Sequence, residues 1–360
     1  MKICYLADIN SAHTHKWLNY FKNKGYDIHV ISLGNGKYEG VTVHCLDITD
    51  NVMKKASDKN KLQYFKKIKR VKQLVNEIKP DILHAHYATS YGLLGALADY
   101  HPYIISAWGS DVYDFPIKSP IHKMMLKYNL KKADYIFSTS NVMREETKKY
   151  TDKDIEVTPF GVDINRFVPG RVENDEVVIG TIKTLEEKYG IQYLVKAFSI
   201  VKERNPHVKL KLRIGGKGSQ EEYLKNLCSE LKIENDSTFL GFVKPDDVIK
   251  EFQNFDIAVF PSTLDSESFG VAAVEAESCG TPIVVSDVGG LMESTKPGVT
   301  SLVAKKASVE DLADKIDILV KDEKLRIKMG NAARKFVEDN YSLDDNFDYV
   351  DKLYKKITKK

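Results

Sequence analysis

The fold is decided by the stretch Ile257-Ala258-Val259-Phe260-Pro261-Ser262-Thr263-Leu264-Asp265-Ser266-Glu267-Ser268-Phe269-Gly270-Val271-Ala272-Ala273-Val274-Glu275, followed after three intervening residues by Cys279-Gly280-Thr281-Pro282-Ile283-Val284-Val285-Ser286. Four apolar residues, Ile257–Phe260, read as a buried strand. Pro261-Ser262 closes it, a polar loop follows, and a helix is read over Phe269–Ser278. Ile283–Ser286 is a second apolar run, read as the next strand. Strand, helix and strand in this order make a right-handed crossover between parallel strands.

The same alternation extends in both directions. Val177–Thr181, Lys209–Ile214 and Thr238–Leu240 read as strands, with helices over Gln192–Arg204, Gln220–Leu231 and Pro245–Asn254. Before Pro169-Gly170 a second series runs through Ile3–Ala7, Ile28–Leu33, Ile82–Ala85, Tyr103–Ala107 and Tyr135–Ser138. Its helices include His15–Lys24 and Leu62–Lys79, the latter apolar at Leu62, Phe65, Ile68, Val71, Leu74, Val75 and Ile78, one face of a helix. Single cores stop growing near roughly 250–300 residues, so 360 residues carrying two such series read as two domains. The expected organisation is α/β throughout: two doubly wound, Rossmann-like domains over 1–168 and 169–341. A helix over 342–360 is expected to pack back on the first domain. Ligands bind such sheets at the carboxyl ends of the strands, so a cleft between the two domains is the expected active site.

Composition narrows the function. A net charge of +3 does not suggest a nucleic-acid binder. Cys4, Cys45, Cys228 and Cys279 form no C-x-x-C pair or zinc spacing and read as free thiols of a reducing compartment. The chain opens Met1-Lys2-Ile3 and runs into a strand without a signal peptide's apolar region. No apolar run approaches the ~18 residues that span a bilayer. A cytoplasmic protein is expected, with peripheral membrane contact left open.

The first strand is followed by Asp8-Ile9-Asn10-Ser11-Ala12-His13, with no G-x-G-x-x-G, and no P-loop occurs anywhere. Gly215-Gly216-Lys217-Gly218 follows a strand and reads either as a flexible backbone that approaches a phosphate or sugar or as an ordinary strand–helix turn. A helix starting near Ser268 would present the amides of Phe269, Gly270 and Val271 to an anion. Glu267 and Glu275 then bracket that helix start. Two readings stand for the pair: carboxylates accepting hydroxyls of a sugar and a ribose, or a helix cap and a solvated side chain.

Together these segments resemble the retaining glycosyltransferases of family 4, which have the GT-B fold. Glu267 and Glu275 reproduce the family's E-x7-E motif within the run Phe260–Gly290. Ile179-Gly180-Thr181-Ile182-Lys183 with Lys188-Tyr189-Gly190 is similar to its phosphate-binding segment. Thr158-Pro159-Phe160-Gly161-Val162-Asp163 is similar to its inter-domain segment, and Ser106-Ala107-Trp108-Gly109-Ser110-Asp111 to its H-G-x-D loop.

The resemblance implies roles. Lys183 and Lys188 would neutralise the donor diphosphate, Glu275 would bind the ribose, and Glu267 would hold sugar hydroxyls beside Ser268, Phe269, Gly270 and Val271. Gly215 and Gly216 would line the donor pocket, and the backbone at Val243 would face the base. Lys183 stands where the family often has Arg, which keeps the charge and changes the geometry. Trp108 replaces the motif histidine, so no histidine base acts there. Family enzymes are thought to let the leaving phosphate take the acceptor proton, so that loss is not fatal. Asp111 has two readings, orienting an acceptor hydroxyl or capping a turn. His86, close to His84 on one strand, and His13 are further candidates for the acceptor side, with a structural histidine the other reading of His86, and Trp108 would stack on a sugar there or wall the pocket. No metal and no cofactor are expected beyond a nucleotide-sugar co-substrate.

The small net charge hides a basic N-terminal half. Residues 51–80 carry ten Lys/Arg (Lys54, Lys55, Lys59, Lys61, Lys66, Lys67, Lys69, Arg70, Lys72 and Lys79) against Asp58 and Glu77, a charge of +8. A second strip has Lys118, Lys123, Lys127, Lys131 and Lys132. These are either solvated helix faces or a surface for an anionic leaflet, worth about 1 kcal/mol per basic residue. The expected function is hexosyl transfer from a nucleotide sugar, a UDP-sugar, to a glycan or lipid-linked acceptor in surface polysaccharide, glycolipid or glycoprotein assembly. A nucleotide-sugar epimerase of the same fold and a non-catalytic sugar-nucleotide binder are the alternatives.

Overall fold

The computed structural model describes residues 1–47, 58–170 and 175–359, residues 58–66 by their backbone. The chain divides into two compact units, one formed by Met1–Phe160 with Asp344–Lys360 and one by Gly161–Leu343.

The first unit holds a seven-stranded parallel sheet in the order β3-β2-β1-β4-β5-β6-β7. Its strands are β1 Lys2–Leu6, β2 Asp27–Ser32, β3 Thr42–Cys45, β4 Ile82–His86, β5 Tyr103–Ala107, β6 Tyr135–Ser138 and β7 Ile155–Val157. Helices α1 Ala12–Asn23, α2 Asp58–Ile78, α3 Ser90–Ala98, α4 Pro120–Lys132 and α5 Asn141–Lys148 connect them. Strand alternation sorts the helices by sheet face. Leu83 and Ala85 of β4 join a core with Val71, Leu74 and Val75 of α2, Leu94 of α3, and Leu126 and Leu130 of α4. His84 and His86 point the other way, toward Trp17 of α1. On that face lies the last helix of the chain, Leu343–Thr358, whose Phe347 packs edge-on to Trp17 at 5.0 Å and whose Tyr354 meets Phe21 at 5.1 Å.

The second unit holds a six-stranded parallel sheet in the order β10-β9-β8-β11-β12-β13. These are β8 Val177–Ile182, β9 Leu210–Gly215, β10 Ser237–Gly241, β11 Ile257–Phe260, β12 Ile283–Ser286 and β13 Ser301–Ala304. The helices are α6 Ile191–Arg204, α7 Glu221–Glu230, α8 Pro245–Asn254, α9 Val271–Ser278, α10 Gly289–Ser294, α11 Val309–Lys321 and α12 Glu323–Asn340, and the last helix of the chain is α13. Leu194, Phe198 and Val201 of α6 pack with Leu312, Ile316 and Leu319 of α11 over Ile179 and Leu212. Strand order reverses between β8 and β11, the switch point of a doubly wound sheet.

Several elements differ from the sequence reading. β3, β7 and β13 are short strands of three or four residues at sheet edges, where weak apolar patterning suffices. Helices α10, α11 and α12 also went unread. Helix α9 starts at Val271, two residues later than expected, because Gly270 adopts a left-handed conformation (φ +76°) as its N-cap. Of the basic residues singled out in 51–80, Lys54 and Lys55, and the side chains of Lys59, Lys61 and Lys66, lie outside the described residues. No helix among the described residues is long and apolar enough to cross a membrane.

Candidate functional site

In the second unit the candidate donor residues gather at the carboxyl ends of the central strands. Lys183 directly follows β8, and Glu267 lies in the loop after β11, so the two flank the switch point. Lys183 Nζ and Glu267 Oε2 pair at 2.6 Å, with side chains 18% and 9% exposed. Ser262, at the end of β11, donates its hydroxyl to the same Glu267 oxygen at 3.4 Å. Tyr189 supplies a platform: Lys183 Nζ lies 4.6 Å and Lys188 Nζ 5.1 Å from its ring centroid. Both ammonium groups thus lie within cation–π distance of one ring, which stabilises the cations without cancelling their charge. The Lys188 carbonyl accepts from the Thr263 amide (2.9 Å) and hydroxyl (3.1 Å), which ties this turn to the β11 loop.

Backbone hydrogen bonds knit the neighbouring strand ends. The Lys183 amide donates to Gly215 O at 2.9 Å, and the Gly216 amide to Gly241 O at 2.7 Å. Gly216 has φ +131°, and a Cβ there would lie 1.8 Å from the Lys183 carbonyl oxygen, so only glycine fits. A Cβ on Gly215 would meet Val243 Cγ2 at 2.8 Å, which places Val243 against the glycine pair.

The loop from Glu267 to Gly270 is held from beneath. A Cβ on Gly290 would lie 2.1 Å from Glu267 O and 2.6 Å from Phe269 N, so the start of α10 supports the loop by direct backbone approach. Ser268 and Phe269 are buried, and the Phe269 ring packs edge-on to Tyr341 at 5.2 Å. Val271, Ala272 and Glu275 are the half-buried positions of α9, while Ala273, Val274, Ala276 and Glu277 are buried. Spacings of one, three and four residues put the first three on one stripe over the first helical turn. The Glu275 side chain thus leaves α9 on the same side as Val271 and Ala272.

In the first unit His13, His86 and Trp108 come together around Phe160. The His13 ring stacks on Phe160 at 4.4 Å, and Trp108 lies 5.3 Å from Phe160 and 4.8 Å from His86. His86 is 1% exposed, with neither ring nitrogen hydrogen-bonded. Burial, with His13 nearby, pushes its pKa down to about 3, so it is a neutral ring beneath Trp108. Of the two readings of His86, this burial fits the structural one and not direct contact with an acceptor. His84 is structural: its ring nitrogens meet Tyr354 Oη at 2.5 Å and Ser106 Oγ at 2.7 Å, and burial holds its pKa well below the usual range.

Of the two readings of Asp111, the structure fits the one in which it caps the turn. It is fully buried, and its carboxylate accepts from the amides of Ala88 (2.7 Å), Gly109 (2.8 Å) and Trp108 (3.1 Å). Burial raises its pKa while those amides oppose the rise. The side chain ties the 108–111 loop to the end of β4 and has no oxygen turned to an acceptor. Sequence reasoning missed Tyr189 and Ser262; the aromatic ring standing between Lys188 and Gly190 was the available signal. Among the described residues no group of three His, Cys, Asp or Glu is placed to hold a metal ion.

Comparison with known proteins agrees with this geometry. Residues 2–140 match the family described as glycosyl transferase 4-like, and residues 163–336 the family described as glycosyl transferases group 1. An uncharacterized glycosyltransferase of Methanocaldococcus jannaschii is 37% identical over 174 residues, 48% of this chain and 43% of that protein. The N,N'-diacetylbacillosaminyl-diphospho-undecaprenol alpha-1,3-N-acetylgalactosaminyltransferase of Campylobacter jejuni is 27% identical over 303 residues, 76% of each chain. The chain spans about half the length of the first curated relatives that it matches. Among solved structures, sucrose-phosphate synthase from Thermosynechococcus elongatus superposes with a TM-score of 0.86 at 16% identity, over 99% of this chain and 98% of that one. HepE of Anabaena, solved in complex with UDP, gives 0.80 at 17% identity, over 99% and 100%. With two parallel-sheet α/β units, family matches along both and the E-x7-E loop at the switch point, the chain belongs to the family 4 glycosyltransferases of GT-B fold.

Proposed function

We propose that the protein is a retaining glycosyltransferase that moves a hexosyl group from a UDP-sugar to a glycan or lipid-linked acceptor. The observation that carries this reading is the Lys183–Glu267 pair at 2.6 Å, flanking the switch point beside the Lys188–Tyr189 platform. In the reaction Lys183 and Lys188 receive the diphosphate and stabilise the charge that grows on it as the glycosidic bond breaks. Glu267 accepts hydroxyls of the transferred sugar, Glu275 those of the ribose, and the backbone at Val243 borders the base. The bond from the sugar C1 to the diphosphate oxygen breaks, a bond from C1 to the acceptor oxygen forms on the same face, and the acceptor proton passes to the leaving diphosphate. No side-chain base is needed, which suits a loop whose aspartate is buried and whose motif histidine is a tryptophan.

A UDP donor is favoured by the fold neighbour solved with UDP and glucose, and a lipid-linked acceptor by the name of the Campylobacter relative. We place the reaction at the cytoplasmic face of a membrane, without a metal ion. A donor screen by slow hydrolysis, repeated in EDTA, tests the proposal. Turnover of one nucleotide sugar, unchanged by chelator and lost in Glu267→Ala and Lys188→Ala, is expected. Full turnover in both variants would overturn the site, and loss in EDTA restored by Mn²⁺ would overturn metal independence.

A further inference from the structure

Three charged side chains meet at the donor end of the second sheet, and their charges are not shared equally. Glu267 takes Lys183 at 2.6 Å, so those two largely neutralise each other. Lys188 makes no ion pair among the described residues, and Glu186, on which its charge acts, gives its carboxylate to the Ser219 amide at 3.0 Å and the Ser219 hydroxyl at 2.5 Å. The positive charge on offer to a diphosphate is therefore that of Lys188. A lysine ammonium rides on a long flexible stem, and without a partner it spreads over many rotamers in water. What holds Lys188 is the Tyr189 ring, whose centroid lies 5.1 Å from its Nζ and 4.6 Å from Lys183 Nζ.

The ring itself is fixed. Glu187–Tyr189 is a single 3-10 turn, which Gly190 ends in the left-handed conformation (φ +67°). A Cβ on Gly190 would lie 2.0 Å from the Pro261 carbonyl oxygen, so the turn rests directly on the exit of β11. The Thr263 amide and hydroxyl donate to Lys188 O, which ties the turn to the loop that carries Glu267. Tyr189 is partly buried against the core of the second unit.

We propose that Tyr189 is a positioning residue for the donor diphosphate: its ring holds the Lys188 ammonium in the site, beside Lys183, without neutralising it. This rests on the transferase reading of the site and deepens it. A carboxylate in place of the ring would hold Lys188 but cancel its charge. An aliphatic side chain would leave the charge and lose the hold. An aromatic ring restrains the cation and keeps its charge available.

The test is calorimetric titration of UDP into the full chain and its variants. Tyr189→Phe keeps the ring and should bind UDP within about twofold of the wild type. Each lysine–ring contact at a half-exposed site is worth a factor of about two to five, so Tyr189→Leu should bind UDP about tenfold more weakly. Fluorination of the ring in the Tyr189→Phe variant separates electrostatics from packing. Fluorine draws negative charge from the ring face and barely changes its size. UDP affinity should therefore fall stepwise with one, two and three ring fluorines, while the melting temperature stays constant. Combined with Lys188→Ala, the fluorine steps should shrink. Tyr189→Leu that binds UDP as the wild type does would overturn the proposal. So would a flat fluorine series in a chain whose UDP affinity Lys188→Ala weakens, and the donor site would still stand. A wild type that takes up no UDP would overturn the donor site and the proposal with it.

Discussion

Glu277 makes a prediction that is separate from ligand binding. It lies on the buried side of α9, two residues past the motif Glu275, and neither carboxyl oxygen has a hydrogen bond in standard geometry. Thr300 is a polar group that acts on it. Burial disfavours the carboxylate and pushes its pKa well above the ordinary 4.5. The folded state therefore holds a proton that the unfolded state releases once pH passes that ordinary value. Stability conferred by the acid form is complete below it and falls as pH rises, by ~1.4 kcal/mol per pH unit, up to the folded pKa. For a unit the size of Gly161–Leu343, ~1 kcal/mol moves the melting temperature by roughly 2–4 °C, so each pH unit costs roughly 3–6 °C. Glu277→Gln keeps the shape and cannot ionise, so its melting curve lacks this slope. The assay is scanning calorimetry of both proteins from pH 5 upward. Both tryptophans, Trp17 and Trp108, lie in the other unit, so tryptophan fluorescence serves as an internal control that should not change. Parallel melting temperatures of wild type and variant across that range would refute the reasoning.

Other substitutions separate the donor loop from the scaffold. Lys183→Ala removes the partner of a nearly buried carboxylate, so UDP affinity by calorimetry should fall at least tenfold and the second unit should lose roughly 1–3 kcal/mol. Lys183→Arg should recover the stability and part of the affinity. Gly290→Ala forces a methyl into the Glu267 carbonyl; donor hydrolysis should drop by roughly 100-fold while the tryptophan-reported melting stays unchanged. Asp111→Asn turns one acceptor oxygen into an amide donor facing backbone N–H groups. Tryptophan-reported unfolding should then show a loss of about 2 kcal/mol, and an unchanged midpoint would assign the carboxylate no part in the loop.

The parts of the molecule that could be read in advance are those with strong periodicity. Five strands or helices, among them Tyr103–Ala107, Ile257–Phe260, Ile283–Ser286 and Pro245–Asn254, fall at their expected bounds because apolar runs or a helix-starting proline define them locally. Edge strands such as Ile155–Val157 carry too few apolar residues to stand out from loop, and their pairing depends on the neighbouring strand. The clustering of Lys183, Glu267 and the glycines at the strand ends was legible because it follows from strand order and from glycines that permit close backbone approach. The acceptor-side residues were not, because exposure decides their role and exposure is a tertiary property. His86 and Asp111 sit at the ends of strands where a ligand would be met, yet Trp108 covers the one and three backbone amides consume the other. Trp108 is also why those two burials belong together. A histidine in its place would need partners for two ring nitrogens, whereas the indole's large apolar face seals His86 from water, and Asp111 holds the loop that keeps the indole there. With Trp108 at this position the loop forms an aromatic cover, which His13 and Phe160 complete.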